Sequence, residues 1–506
     1  MLYLISSIIF CSSIFWMKDT VDYFSWTIFE ISAILLLILL IFKNKILLPE
    51  RKQLLPILLF ILWSACSFFW TQNFHATLTA LYKIFLSLFM LILFINENLK
   101  WENSLKRAII FISILAALFY FLNSIYSLSN FFLMSHPNLF SSFLASGAVL
   151  LTSQIFKTKG WKQWLCLIFS ILIPITILLI GSLGPLLVWG FGTIALFLVL
   201  YRKKIYILGI GLCLILLLSI SQNSFGTLWK RKMTDPYSQE RVQIWKDSLN
   251  YLISCPLKGS GLGTFRDHYP QFKQIQGFRN APYAHNELLN FLCELGMIGL
   301  ILLLLILKNL KLPFKGTREL FQNQEEWLAI SIGLGVQSLF DFNLHYPPLL
   351  LIMIFSISKI FKTREVQINN RSTKLFCISG MSILGILFSL PGVADFIFRK
   401  AYPNLEERKK AATFALKIDP FNALYRSETG LARDILIAID LEPRNVWYHR
   451  KAAAFFFQEW QKTKNKLYYQ AAIEEYKIIF HLAPNVLQFK IEAEQFFSLK
   501  IENIRD

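Results

Sequence analysis

The chain has too few charges for a water-soluble protein of its length. Only 16% of its 506 residues are charged, against 55% hydrophobic and 15% aromatic, and the mean hydropathy is +0.49, so there is not enough polar surface to cover a soluble fold. Cysteine is scarce and badly placed for bridging. Cys11, Cys66, Cys166, Cys213, Cys293 and Cys377 lie in apolar runs, which leaves Cys255 alone in a polar segment and excludes a disulfide framework. Neither CxxC nor HExxH occurs, so no metal site and no cofactor is expected. Acidic residues are outnumbered, with 51 Lys and Arg against 32 Asp and Glu for a net charge of +19. Such an excess would suit nucleic acid if it formed one patch, but the cations are instead distributed between apolar runs, so no nucleic-acid partner is expected.

What the chain does have is long apolar runs, which predict an all-α polytopic membrane protein. Runs able to cross about 30 Å of hydrocarbon are drawn at Leu2 to Trp16, Tyr23 to Phe42, Leu54 to Trp70, Thr77 to Ile95, Ala108 to Leu128, Asn138 to Phe156 and Lys162 to Ile180. They continue at Leu183 to Tyr201, Ile205 to Ile220, Leu288 to Leu307, Trp327 to Asp341, Pro348 to Phe361 and Leu375 to Phe396. This makes about 12 to 13 helices, the first, eleventh and twelfth being short. The first run has no basic flank and no small-residue cleavage site, so it reads as a retained anchor.

Lys and Arg recur in every second connection: Lys43, Lys45, Arg51 and Lys52; Lys100, Lys106 and Arg107; Lys157, Lys159 and Lys162; Arg202, Lys203 and Lys204; Lys308, Lys311, Lys315 and Arg318; Lys362, Arg364, Arg371 and Lys374. The connections between them, such as TQNFHA and FNLHYP, carry none. The positive-inside rule then predicts a cytoplasmic amino terminus. Four regions follow: helices over 1–221, a long extracytoplasmic loop over 222–287, helices over 288–398, and an extracytoplasmic tail over 399–506. The tail repeats its helix ends in ALKIDPFNALY, AIDLEPRNVWY and IIFHLAPNVLQF, which look like degenerate tetratricopeptide-type pairs. Its aromatic residues read mainly as packing, with binding of a partner or a glycan as the lesser alternative.

The long loop carries most of the chemistry. Gly259, Gly261 and Gly263 let its backbone turn tightly and approach a ligand, but they follow no βαβ strand, so this is not a dinucleotide fingerprint. Arg241, Arg266 and Arg279 offer guanidinium groups to a phosphate, whereas Lys246, Lys258 and Lys273 read mainly as solvated charges. His285 falls where the loop meets the next helix, and an imidazole there suits accepting a hydroxyl proton, help worth about 10² to 10⁴ in rate. Glu287, Asn290 and Glu294 share one face of that helix. A carboxylate in hydrocarbon costs roughly 2.5 to 3.5 kcal/mol, so Glu294 is expected to face a partner or water inside the bundle. Glu30 and Lys83 lie at a matching depth, about 10 Å below the outer surface, and are expected to pair. His136, Asn138, Asp341 and His345 approach the same surface, so the polar residues gather at one leaflet.

The order RxxxW, CPLKGSGLGTF, YAHNELLNFLCELGMIG and DFNLHYPP, after many helices, resembles the O-antigen ligase-related superfamily of O-antigen ligases, O-antigen and exopolysaccharide polymerases, and protein O-oligosaccharyltransferases. The resemblance runs from about Phe60 to Phe361 and is most specific from Arg241 to Gly299. It implies a metal-independent, inverting glycosyltransferase of the bacterial cytoplasmic membrane, which moves a glycan from undecaprenyl diphosphate to a hydroxyl of an acceptor lipid, glycan or protein. His285 resembles the family's base, and Arg241, with Arg266 or Arg279, its diphosphate-holding arginines. Asn286, Lys83, Glu294, Asp341, His345 and Asn138 are the further substrate-binding candidates. Two departures stand out: Tyr283 where many relatives have a second His, and Leu183 where relatives often carry Arg. A transporter or lipid flippase, and an inactive scaffold whose tail recruits envelope-assembly proteins, are the alternatives from other classes.

Overall fold

In hydrocarbon every backbone N–H and C=O must find its partner within the segment, so an apolar run of this length becomes a helix. The computed structural model describes residues 23–96, 99–126, 137–200, 236–275, 280–310, 324–401 and 404–497. The first and ninth apolar runs, His136 and Arg279 lie outside them. In the described residues every remaining run is helical. The helices before the loop are α1 (Tyr23–Ile41), α2 (Arg51–Cys66), α3 (Phe74–Asn96), α4 (Leu99–Tyr126), α5 (Pro137–Lys157), α6 (Trp161–Ile180) and α7 (Gly184–Leu200). The loop holds α8 (Pro236–Ser254) and α9 (Phe265–Phe272), followed by α10 (Glu287–Asn309), α11 (Glu325–Gln337), α12 (Pro347–Ser358) and α13 (Arg371–Lys400). Among the described residues, seven helices are long and apolar enough to span a membrane and three more are shorter but apolar. The protein is an all-α multi-pass membrane protein.

Helix α5 is the centre of the bundle, with 83% of its apolar window buried, and its small residues explain why. Gly147 lies so close to Ser113 of α4 that a β-carbon would sit 2.5 Å from the Ser113 β-carbon. At the crossing of α7 and α11 a β-carbon on Gly333 would sit 2.4 Å from the Val188 carbonyl oxygen. Close helix approach of this kind gives the packing that lipid cannot drive by hydrophobicity.

One expectation is corrected at the end of the bundle away from the loop. There the connections after α1 and α12 form a small sheet, in which β1 (Lys45–Pro49) pairs antiparallel with β2 (Thr363–Gln367), joined by an ion pair of 3.0 Å between Lys45 and Glu365. Polar groups are not confined to one leaflet. Glu326, fully buried at the start of α11, accepts from Lys106, from Ser153 at 2.5 Å and from Lys157 at 2.8 Å. Beside it Glu102 accepts from Trp327 Nε1 at 2.8 Å and pairs with Lys359 at 3.0 Å. Residues from the starts of α4 and α11 and the ends of α5 and α12 meet here, which explains why a sequence scan along one helix misses them.

The tail contains α14 (Leu405–Ile418), α15 (Ala423–Glu428), α16 (Ala432–Leu441), α17 (Val446–Thr463), α18 (Lys466–Leu482) and α19 (Leu487–Phe497). Asn404, Asn422, Asn445 and Asn465 each cap a helix by accepting from its first-turn N–H groups. Successive helices pack on one another around Ala453, Ala472, Tyr476 and Ile479. The tail is seated on the loop. Asp419 bonds His75 at the start of α3 at 2.8 Å, Phe421 packs on Phe74, and Asn485 donates to the Lys273 carbonyl at 2.7 Å.

Candidate functional site

The glycine turn closes first, and it closes on the protein's own helix. Gly296 breaks α10 with φ 66° and ψ −168°, which frees backbone groups that lipid could not satisfy. The loop supplies them. Met297 N–H donates to Pro256 O at 2.9 Å, Gly261 N–H to Glu294 O at 2.9 Å and Ser260 N–H to Cys293 O at 3.1 Å, while Trp63 Nε1 caps Leu295 O at 3.0 Å. A β-carbon on Gly259, whose φ is 69°, would lie 2.3 Å from the Glu294 carbonyl, and one on Gly296 2.2 Å from Leu257 O. Gly261 and Gly263 meet Thr71 and Ala76 in the same way. The spacing of these glycines predicts a close approach to a ligand, but what they approach is α10, α3 and Thr71 just before α3. The loop therefore docks about 13 Å along α10 from its first residue, at the rise of that helix.

Glu294 belongs to this lock. Its carboxylate accepts from Gly263 N–H at 2.8 Å, Phe265 N–H at 3.2 Å and Asn290 Nδ2 at 3.1 Å. Expected to face a partner or water, it has a partner in the protein's own backbone turn, and both its oxygens are engaged. Asn290 also accepts from Ala284 N–H at 3.2 Å, and Asn286 caps α10 by accepting from Leu289 N–H at 3.0 Å. These bonds hold His285 between them with φ 51°, a left-handed backbone that costs a non-glycine residue of order 1 to 3 kcal/mol and persists only where its surroundings impose it.

Held in that way, His285 turns its ring onto Asp341. Helix α11 ends at Gln337, short of the apolar run drawn to Asp341, because the chain folds back there. Gln337 and Ser338 bond Asn343 at 3.1 and 2.8 Å. The turn points Asp341 at the loop. Its Oδ1 lies 3.4 Å from His285 Nδ1 and accepts from Phe342 N–H at 3.0 Å, while Oδ2 accepts from Asn138 Nδ2 at 3.0 Å and stands 3.8 Å from Arg241 Nη2. Ser182, from the GSLGP turn, donates to Asn138 Oδ1. Burial alone would lift the Asp341 carboxyl, but the His285 hydrogen bond, the Arg241 charge and the Phe342 N–H outweigh it and hold the group below the ordinary carboxylate range. The carboxylate is 5% exposed while His285 and Arg241 are 21% and 35% exposed. A buried anion thus orients two groups that open outward.

Tyr283 and His345 form the wall beside this cluster. Their rings lie 3.9 Å apart, and Tyr283 stacks on Phe342 at 5.1 Å. Burial, assisted by the charge of Lys83, pushes the His345 imidazole down to about 3, so it is neutral. Glu287, 3.8 Å from it, accepts instead from Leu344 N–H at 3.0 Å. Lys83 lies 4.6 Å over the Trp26 ring, and its charge acts on Glu30. Arg266 is not part of this gathering: it is exposed on α9 and acts on Asp267 and Glu442 of the tail seam. Nothing in the sequence marks that seam, where Asn73 donates to Asp267 at 2.8 Å and Arg444 to Gln271 at 2.6 Å, since only the fold brings residues 170 or more positions apart into contact. Among the described residues no three His, Cys, Asp or Glu gather into a set that could hold a metal.

Residues 167–304 match the O-antigen ligase family. A Rickettsia conorii protein, described as a candidate polysaccharide ligase, is 26% identical over 275 residues, covering 50% of this chain and 66% of the relative. The chain therefore spans just under two thirds of that relative's length. The two matches support the O-antigen ligase-related superfamily. Arg241 and His285 lie inside the matched segment, and Asp341, itself bonded by Asn138, meets them from outside it.

Proposed function

We propose that the protein is a membrane glycosyltransferase of the O-antigen ligase type, which moves a glycan from undecaprenyl diphosphate to an acceptor hydroxyl. The observation that carries this reading is the buried Asp341 carboxylate shared by His285, Arg241 and Asn138. With Nδ1–H donated to Asp341, the His285 Nε2 keeps its lone pair and faces outward as a base. The acceptor oxygen attacks the anomeric carbon as His285 takes its proton. The bond from that carbon to the diphosphate oxygen breaks, and the diphosphate leaves with the electron pair. A single displacement inverts the anomeric centre. Charge gathers on the leaving group, and Arg241 is the described guanidinium placed to meet it. The step as drawn calls on no metal and no cofactor.

The positively charged connections support a cytoplasmic assignment for the end that carries β1, β2 and Glu326, which sets the loop and tail outside the inner membrane. The tail is read as tetratricopeptide-like, and recruitment of envelope-assembly partners belongs to the scaffold alternative. The deciding experiment uses purified protein in lipid nanodiscs with a lipid-diphosphate-linked glycan. His285→Ala should abolish transfer while thermal stability and donor binding stay within about three-fold of the parent. Transfer at the parental rate would overturn the assignment, and loss of phenotype on deleting the tail with His285→Ala harmless would favour a scaffold.

A further inference from the structure

A cavity of about 430 Å³ lies apart from the His285 cluster, at the seam between the glycine turn, α9 and the tail. Volumes of this order suit small ligands, about 300 to 1,000 Å³. Trp70 and Phe272 supply aromatic surface, with the fully buried Tyr251 stacked behind Phe272, Lys258 and Arg444 supply two cations, and none of the lining residues is acidic. Tyr251 lies parallel to Phe272 and to His268, with interplanar angles of 9° and 8°. Lys258 Nζ stands 5.5 Å over the Trp70 ring. Arg444 is held in place by Gln271 and Gln72.

Two buried polar atoms in this wall are unused. His268 is 9% exposed, and its Nε2, like the indole N–H of Trp70, has no hydrogen-bond partner among the described residues. An unmade bond at a buried nitrogen costs about 1 to 3 kcal/mol, so such atoms mark where a ligand or water completes the structure. Burial, then the Arg444 charge, pushes the His268 imidazole down to about 3. The ring is therefore neutral, suited to a hydroxyl rather than to an acid group.

We propose that this cavity binds a negatively charged saccharide. Flat aromatic walls accept the C–H faces of a sugar ring. His268 Nε2 and the Trp70 N–H meet hydroxyls, and Lys258 and Arg444 take a carboxylate or phosphate by charge-assisted bonds. An apolar chain would leave all four polar groups unmet. Ser260, which lines the cavity, is bonded to Cys293, about 12 Å of helix rise from His285. In role the inference rests on the transfer reading, since a second sugar site at this distance suits the acceptor side. Its test requires no transfer.

The full chain in nanodiscs is titrated with trigalacturonate, glucose 1-phosphate and neutral maltotriose, and affinity is read by calorimetry. At least one acidic probe should bind about ten-fold or more tighter than maltotriose, and Lys258→Gln should weaken it by about ten-fold, the loss of one charge-assisted contact. The tighter acid identifies a carboxylated or a phosphorylated sugar. Arg444→Gln should do the same, but Arg444 also ties down the tail, so the exposed Lys258 decides. Equal binding of acidic and neutral sugars, no binding of either acid at millimolar concentration, or unchanged affinity in Lys258→Gln would overturn the proposal. If His285→Ala abolishes transfer while no acid sugar binds, this inference fails and the transfer reading survives. If an acid sugar binds as expected while His285→Ala still transfers at the parental rate, the saccharide site stands and the transfer reading fails.

Discussion

Asp341 and His285 meet at 3.4 Å across two separate elements, the turn after α11 and the strained residue before α10. Neither element is sufficient alone. The carboxylate is buried by the bundle and the imidazole is twisted outward by the loop, so the pair exists only while the glycine turn holds the loop against α10.

Asp341→Asn tests that pairing. The amide keeps the shape but no longer favours the Nδ1–H tautomer or balances an imidazolium. Glycan transfer should fall by roughly 10² to 10⁴, the usual worth of general-base help, with little change in melting temperature. The double variant with His285→Ala should be no slower than His285→Ala, because residues acting as one unit are not additive. A loss of only a few-fold in initial rate would remove Asp341 from the mechanism.

Gly259→Ala tests the lock. The added carbon meets the Glu294 carbonyl at 2.3 Å, where φ is already 69°. Left-handed strain and overpacking together predict a loss of roughly 2 to 5 kcal/mol. Thermal unfolding in detergent should show it, and hydrogen exchange should rise at Met297 and Gly261, whose N–H groups cross the seam. Parental exchange at both would mean that the turn does not depend on this contact.

Much of this is legible in the chain, for physical reasons. Apolar runs must become helices in hydrocarbon, and every run within the described residues is one, while the cost of a carboxylate in lipid shows that Glu294 must face inward. The same cost cannot name its partner, because an acceptor in a bundle is equally served by a ligand or by the N–H groups of Gly263 and Phe265. Glycine spacing announces a close approach without saying to what. The pairing of β1 with β2 and the seating of Arg444 on Gln271 join distant segments that carry no periodic signal. Asn138, Asp341 and His285 each fall near the outer surface by position in the sequence, but their convergence on one carboxylate depends on where α11 stops.

Glu326→Ala separates architecture from chemistry. The carboxylate is fully buried among Lys106, Lys157 and Ser153, at the far end of the bundle from His285. Removing it leaves Lys106, whose side chain is 13% exposed, without that partner, while the more open Lys157 keeps Glu325 at 4.0 Å. The cost is therefore at most about 3 to 5 kcal/mol, that of an uncompensated buried charge. Thermal stability should drop accordingly, while transfer per folded molecule stays within about two-fold. Replacing Lys106 and Lys157 by Met in the same variant should recover much of the loss. A transfer defect in the folded fraction would connect this cluster to the reaction.

The tail seam should respond to acid through His268. Its folded-state pKa is about 3 against 6.5 for the free side chain. Between those values the unfolded chain binds a proton that the folded chain refuses. The stability this group allows is complete above pH 6.5 and declines as pH falls toward 3, at up to about 1.36 kcal/mol per pH unit. Asp267 and Glu442, both pushed up by burial, act in the opposite sense, because the folded state keeps their protons. The whole protein therefore shows only the difference, and the informative quantity is the gap between the parent and His268→Gln. Glutamine stays neutral throughout, so melting curves from pH 7.5 to 5 should fall less steeply for the variant, narrowing or reversing any deficit it shows at pH 7.5. Arg444 and the Tyr251 ring flank the imidazole, and Arg444 keeps its charge across this range. Parallel curves for the two proteins would mean that His268 is protonated in the folded state at pH 5.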